Sequence, residues 1–385
     1  MKTVRLGIIG LGGMGMSHAT QLLDGKVARC KLTAVSDTDP GRMNNFGDAI
    51  ARFSESSELI KSGKVDAVLI ATPHYAHTTI GIQALRHGLH VLVEKPISVH
   101  KADCEHLLAA HKNRKLVFAA MFNQRTHPMF RKIHDLVRGG TLGKIMRVNW
   151  IVTDWFRTDA YYASGSWRAT WAGEGGGVLL NQCPHNLDLL QWICGMPSSL
   201  RAFCNLGKRH NIEVEDEVTA YLEYPNGATG VFVTSTGEAP GTNRLEIAGE
   251  NGKLVAEAGT LQFTRNEVSA LEFCRQSKAS FATPDVWNVS IPVKGGSGGQ
   301  HLEIKQNFVD AILDGVPLIA PAREGIHSVE LANAMLYSSL FGKTVELPLN
   351  GAAYEKMLAK LIQASKHEKK TIHKAGNEDL KASFK

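Results

Sequence analysis

The sequence predicts an α/β protein of two domains. A parallel sheet of βαβ units comes first, followed by a mostly antiparallel sheet with helices. Three observations point that way. The 385 residues exceed what one core normally holds. Up to about residue 120, short apolar runs alternate with helix-length amphipathic stretches. After about residue 125 the runs become alternating strands separated by turn residues. The expected division is 1–123, 124–350, and 351–385 for a C-terminal helix and charged tail.

In chain order, the first-domain strands are expected at Val4–Ile9, Lys31–Ser36, Val65–Ala71, Leu89–Val93 and Lys115–Ala120. Their near-continuous apolar character is that of strands buried on both faces. Thr78–Arg86 and Ala102–His111 carry helical spacing. His127–Arg138 reads as a helix, Lys144–Phe156 as a long alternating strand, and Pro184–Cys194 as a helix after the glycine-rich Gly173–Gly177. Strands then follow at Ser199–Leu206, Val218–Tyr224, Ala228–Thr234, Arg244–Ala248, Lys253–Ala256 and Thr260–Thr264. Pro225-Asn226-Gly227 and Gly249-Glu250-Asn251-Gly252 have hairpin-turn composition. Helices return at His301–Leu313, Glu324–Leu340 and Tyr354–Ser365, after a surface connection at Gly295–Gly299.

Composition excludes several classes. Charged residues make up 21% and hydrophobic ones 43%, as in ordinary globular proteins. The net charge of +6 comes from interleaved signs without a basic stripe, so no nucleic-acid partner is expected. No apolar run is long enough to span a membrane. The opening residues read as a first strand rather than a signal peptide, because Gly10 interrupts the apolar run. Six cysteines without a Cys-x-x-Cys pair fit free thiols in a reducing compartment, hence a cytoplasmic location.

Gly10-Leu11-Gly12-Gly13-Met14-Gly15 follows the first strand and opens a helix. Gly10 permits the tight turn, Gly12 lets the backbone approach a pyrophosphate, and Gly15 lets helix and strand close together. The helix amides then face the phosphates. Asp37 ends the second strand, where a carboxylate binds the ribose hydroxyls and repels a 2′-phosphate. NAD is therefore expected in preference to NADP, with Arg42 nearby as the one opposing feature. Thr72 and Pro73 end another strand at the same crevice and are expected to border the ribose and nicotinamide.

Glu94-Lys95-Pro96 closes the apolar run His90–Val93. Ligands of open α/β sheets bind at the carboxyl ends of the strands. An ammonium group there can polarise or deprotonate a substrate hydroxyl beside a cofactor. Asn123 and Arg125 are expected to end a strand at the crevice and to contact substrate. Arg168 is a candidate for substrate hydroxyls or a carboxylate, with Trp167 stacking on a sugar face. Trp155, Tyr161, Tyr162 and Trp171 read mainly as packing. His18, His74 and His77 read as helix-terminal hydrogen bonders, and Asp188 as a helix partner of His185. Cys183 and His185 lack further ligands at suitable spacing, so no metal is expected.

These motifs together resemble the glucose-fructose oxidoreductase / inositol dehydrogenase (Gfo/Idh/MocA) family. The resemblance runs from the glycine turn through Thr72-Pro73, Glu94-Lys95-Pro96, Asn123-Gln124-Arg125 and Gly175-Gly176-Gly177…His185-x-x-Asp188 to Gly342–Pro348. It implies an NAD-binding Rossmann domain, a doubly wound parallel sheet, joined to a substrate-binding and oligomerisation α/β domain with an open, mostly antiparallel sheet. It also implies a homodimer or homotetramer through that sheet. Glu94 would lie near the nicotinamide ribose, and Lys95 and His185 would be the catalytic pair. One position departs: the family usually carries aspartate four residues before the catalytic histidine, where this chain has Asn181. An amide orients an imidazole or binds substrate but cannot stabilise imidazolium by charge. Pro184 suits the first helical position, which puts His185 in the first turn, where the dipole disfavours imidazolium. The proton burden is then expected to move toward Lys95.

The expected activity is NAD-dependent oxidation of a secondary hydroxyl of a sugar, glycoside or cyclitol to a ketone, or the reverse. Two other readings remain open from sequence. One is an NAD-dependent glycoside-cleaving enzyme that oxidises transiently. The other is a non-catalytic NAD-binding sensor, against which Lys95 and His185 argue.

Overall fold

The computed structural model describes residues 2–369; the remainder of the expected charged tail, 370–385, lies outside the described residues. The first sheet has six parallel strands: β1 Val4–Ile9, β2 Cys30–Ser36, β3 Ala51–Phe53, β4 Ala67–Ile70, β5 His90–Val93 and β6 Phe118–Ala120. Its order is β3-β2-β1-β4-β5-β6. Helices α1 Gly13–Leu23, α2 Ser56–Lys61, α3 His74–Arg86 and α4 Lys101–Ala110 make the crossovers. The sheet is therefore a doubly wound Rossmann fold whose strand order reverses between β1 and β4. All four residues of β4 are buried, the consequence of helices on both faces. Each buried Val, Leu or Ile of this kind contributes about 1.5–3 kcal/mol.

After α5 Pro128–Arg138 the chain builds a nine-stranded sheet. Its strands are β7 Ile145–Val152, β8 Ser199–Leu206, β9 Glu215–Glu223, β10 Thr229–Ser235, β11 Asn243–Gly249, β12 Gly252–Glu257, β13 Thr260–Asn266, β14 Val286–Ser290 and β15 Val345–Glu346. The order is β14-β13-β12-β11-β7-β10-β9-β8-β15, and only β7 and β10 pair in parallel. On β9, Val218, Ala220 and Leu222 are buried while Thr219, Tyr221 and Glu223 face outward. One face is thus packed and the other open, as alternation demands. Helices α6 Asp159–Tyr162, α7 Pro184–Cys194, α8 Ala270–Gln276, α9 Gln300–Asp314, α10 Gly325–Phe341 and α11 Gly351–Ala364 complete the described chain. The inner face of the large sheet shares a core with residues of α7, α10 and α11.

Two departures from expectation position the site. The C-terminal segment crosses back: Ile304, Phe308 and Val309 of α9 are buried in the core of the parallel sheet. And β6 ends at Ala120, so Asn123 and Arg125 lie in a 3-10 turn, Asn123–Thr126, beyond the strand. Proline at 128 favours ending an extended segment and starting α5, where it takes the first helical position. Elements that sequence periodicity does not mark are short or exposed. All of β14, for example, is exposed at the sheet edge, so no apolar alternation signals it.

Candidate active site

The carboxyl ends of β1, β2, β4 and β5 open into one cleft of about 780 Å³, which extends under residues 155–185 of the second domain. Its lining includes Gly10, Gly12, Gly13, Met14, Asp37, Thr72, Pro73, Glu94, Lys95, Trp167, Arg168, Asn181 and His185. Most of the residues expected from sequence to bind cofactor or substrate therefore meet in one place.

The glycine turn is built for a phosphate. Gly10 sits at φ +91°, and a Cβ there would lie 2.7 Å from the Ala71 carbonyl oxygen. A Cβ on Gly15 would come 1.9 Å from the Gly10 carbonyl oxygen, so helix and turn close only with glycine. At Gly12 a Cβ would find only Arg42 Nη1, at 4.0 Å, and would project into the open cleft. Gly12 caps α1 without a side-chain hydrogen bond, leaving the first-turn amides for an anion. Asp37 accepts from the Leu11 amide at 2.6 Å and the Asp39 amide at 2.9 Å. Its remaining lone pairs suffice for ribose hydroxyls. Arg42 Nη1 stands 3.5 Å from Asp37 and is half exposed. Thr72 Oγ1 is buried without a hydrogen-bond partner at the cleft wall. The open cradle and the orphaned hydroxyl both fit a dinucleotide.

Beyond the turn lies a buried chain of polar groups that spacing alone does not disclose. Glu94 accepts from His18 Nε2 at 2.8 Å and from the Lys95 amide at 3.1 Å. On the other side of His18, Lys305 Nζ approaches Nδ1 at 3.3 Å and also donates to Gln21. Burial holds His18 neutral. Its Nε2–H then donates to Glu94, and Nδ1 accepts from Lys305. Burial pushes Glu94 up, but the His18 hydrogen bond and nearby positive charge outweigh it, and the carboxyl falls to about 2. Lys305, brought in by α9, is lowered to about 8, chiefly by burial. His301, one turn earlier, lines the cleft and drops to about 4, again mainly through burial. No local pattern marks Lys305 or His301, because only the return of α9 onto the first domain brings them here.

At the chemical end, half-buried Lys95 donates through Nζ to the Asn181 carbonyl oxygen at 2.8 Å. Burial lowers its pKa, Glu94 and Glu174 oppose that, and Arg168 and Arg157 add to it. His185 follows Pro184 in the first turn of α7 and is buried, and its Nδ1 has no hydrogen-bond partner. Burial, then Lys95 and His301, hold it neutral well below the usual imidazole range. The residue lines the cleft together with Lys95. The Asn181 side chain does not touch His185. It donates to Glu174 and accepts from Tyr161 Oη at 3.2 Å. Burial raises Glu174, which also accepts from the Ala169 amide. The carboxyl absent at 181 is thus present at Glu174, hydrogen-bonded behind the amide.

Trp167 stands edge-on to His74 at 5.5 Å, and Arg168 Cζ lies 4.7 Å from the Trp167 ring centre. Two expectations are corrected. Asn123 and Arg125 do not line the cleft. Asn123 is buried against Gln300, and Arg125 is buried with its fork on Asp188 at 2.6 and 2.7 Å and Nη1 on Glu324 at 2.5 Å. Asp188 accordingly partners Arg125 rather than His185. His18 also differs from expectation, contacting Glu94 from within α1, whereas His77, near the start of α3, lies between the Pro96 and Thr72 carbonyls at 2.8 Å each. Among the described residues, no group of three or more His, Cys, Asp or Glu side chains is placed to hold a metal ion.

A doubly wound sheet with a phosphate cradle, opening onto a lysine–histidine crevice under a mostly antiparallel sheet, defines a nicotinamide-dependent oxidoreductase. Residues 4–122 match the oxidoreductase family with an NAD-binding Rossmann fold, and residues 130–255 match the GFO/IDH/MocA C-terminal domain. The chain belongs to the Gfo/Idh/MocA family, and its cofactor is NAD. Among its relatives, the myo-inositol 2-dehydrogenase of Thermotoga maritima is 27% identical over 269 residues, 66% of this chain and 75% of that protein. The trans-1,2-dihydrobenzene-1,2-diol dehydrogenase of Bos taurus is 29% identical over 255 residues, 65% of this chain and 72% of that one. Among solved structures, the WlbA dehydrogenase of Chromobacterium violaceum, in complex with NADH and UDP-GlcNAcA, superposes with a TM-score of 0.78 at 25% identity. The match covers 91% of this chain and 97% of that one.

Proposed function

We propose that this chain oxidises a secondary hydroxyl of a sugar, glycoside or cyclitol to a ketone, or runs the reverse reduction, with Lys95 and His185 handling the hydroxyl proton. The observation that carries it is that Lys95 and His185 line the same cleft as the glycine turn. NAD, when bound, supplies the acceptor for the hydrogen and electron pair that leave the carbon. The chain must hold the alcohol in place and take the proton from its oxygen.

Lys95 is the better proton acceptor of the pair. Its depressed pKa increases the share of free amine, and the Asn181 carbonyl fixes its direction. His185, neutral and with Nδ1 unpartnered, orients the hydroxyl by hydrogen bonding. Trp155, Trp167 and Tyr161 bound the space in which a ring would sit. Names among the relatives, a cyclitol dehydrogenase and a dihydrodiol dehydrogenase, support hydroxyl-bearing rings as the substrate class.

The same reading assigns a homodimer or homotetramer through the open sheet face. There Phe203, Tyr221 and Ile151 are exposed on neighbouring registered strands. It also assigns a cytoplasmic location, consistent with six free cysteines, and no described helix is long and apolar enough to cross a membrane. The test is to offer the purified protein NAD or NADP with a panel of sugars, glycosides and inositols while following nicotinamide absorbance. Reduction of NAD by at least one member is expected. Release of an aglycone without absorbance change, or NAD binding without turnover on any member, would overturn the dehydrogenase reading.

A further inference from the structure

We propose that the natural substrate is anionic: a polyhydroxylated compound whose carboxylate is gripped by Arg168, with Arg157 alongside. The inference rests on the dehydrogenase reading of the same cleft and adds a substrate class to it.

Charge is distributed unevenly along the cleft. Its lining acids, Asp37, Glu55 and Glu94, belong to the cofactor side, near the glycine turn and the ends of β2 and β5. Where the substrate would lie, the charged lining groups are Lys95, Arg157 and Arg168, all cationic. Both guanidinium groups crowd one aromatic ring: Arg157 Cζ lies 5.2 Å and Arg168 Cζ 4.6 Å from the centre of Tyr161. Lys369 donates to the Arg168 carbonyl.

Arg168 is underused by the protein itself. Among the described residues its side chain donates one hydrogen bond, Nη1 to Tyr161 Oη at 2.9 Å. Among the described residues, no carboxylate oxygen lies within 4.0 Å of its guanidinium. Glu174, whose carboxyl the Arg168 charge restrains against the upward push of burial, is buried, accepts from the Asn181 amide and does not line the cleft. Compare Arg125, whose fork is filled by Asp188 and Glu324. An arginine has five N–H donors in a planar array suited to a carboxylate. Arg168 and Arg157 each act on Lys95 to disfavour its charged form, so positive charge gathers at this end of the cleft, and an incoming carboxylate offsets it. A neutral polyol does not. Tyr161, held by Arg168, Gln182 and Asn181, locks the guanidinium in position before substrate arrives.

The test compares matched pairs with NAD: D-glucuronate against D-glucose, D-galacturonate against D-galactose, and quinate against myo-inositol, with D-glucose 6-phosphate as a phosphate arm. Binding to the NADH-loaded protein is followed by fluorescence and turnover by absorbance. The acid of at least one pair should bind about 10- to 100-fold more tightly than its neutral partner. Its dissociation constant should rise with added salt while that of the neutral partner stays flat. Arg168→Gln should collapse the ratio toward one. Arg168→Lys, which keeps the charge and loses the fork, should give an intermediate ratio and covers the case in which the glutamine variant fails to fold. A panel in which no acid binds better than its neutral partner overturns the proposal, as does a ratio that survives Arg168→Gln. Preference for the phosphate overturns the carboxylate assignment. Acids that bind preferentially without nicotinamide reduction uphold the anion site and sink the dehydrogenase reading. Turnover of neutral polyols alone does the opposite.

Discussion

At the scale of single residues, the proposed chemistry turns on Lys95 and Asn181. Asn181 holds the lysine through its backbone carbonyl and a buried carboxyl, Glu174, through its side chain. Lys95 accepts a proton only as free amine, the form present above its lowered pKa. Oxidation should therefore rise as pH rises through that value, and reduction should fall. Asn181→Asp places a second acid against Glu174, and two adjacent carboxyls cannot both ionise freely. Glu174 already acts on Lys95, and whatever further ionisation position 181 contributes raises the lysine's pKa. The expected outcome is a shift of the rising limb of kcat for oxidation to higher pH, by about one pH unit. An unchanged profile would make Asn181 a bystander. The placement of Lys95, His185 and the first glycines at the cleft was legible in the sequence because each follows a strand end or opens a helix, where local pattern fixes direction. Lys305, His301 and Glu174 were not. Their neighbours are distant in sequence, and a lone Lys, His or Glu in a helix or loop carries no local sign of where it packs.

At the scale of elements, α7 positions His185, and α7 itself is tied down by Arg125. The fork of Arg125 reaches Asp188 on α7 and its Nη1 reaches Glu324 just before α10, all largely out of water. Burial raises Asp188 and Arg125 restrains the rise. Removing the cation leaves a buried carboxylate without its partner. Arg125→Met should cost about 3–5 kcal/mol of stability, read from denaturant midpoints, with a further loss of activity as His185 shifts. A change below about 1 kcal/mol would show that the network is incidental. From sequence, Arg125 looked equally suited to substrate. Only the 3-10 turn after β6 and the ion pairs with Asp188 and Glu324 reveal that it points into the protein. Elements with strong apolar periodicity, such as α7 and β8, match their expected bounds. Short or exposed ones, such as β3, α8 and β14, carry no such signal.

Across the whole molecule, the two sheets make one site because the chain returns. Helix α9 packs into the core of the parallel sheet and delivers His301 and Lys305 beside α1. This arrangement buries His18, His74, His185 and His301 as neutral rings, each with a lowered pKa caused first by burial. In the unfolded chain the same rings protonate near the ordinary value of about 6.5. Below that pH the unfolded state binds more protons than the folded one, so stability falls with pH. The loss continues toward the folded values, about 4 for His301. Between pH 7 and pH 5 the melting temperature should fall, with a stability loss on the order of several kcal/mol. A flat profile over that range would contradict the buried neutral state.

The central claim is that the Lys95 amine exchanges the hydroxyl proton in the cleft that holds NAD. Lys95→Met keeps the length and apolar stem of the side chain and removes only the amine. Measured on the best substrate from the panel, kcat should drop about a thousandfold. NAD affinity, read directly by titration of the same variant, should stay within about threefold, because the glycine turn and Asp37 are untouched. Near-normal turnover with intact NAD binding would contradict the account.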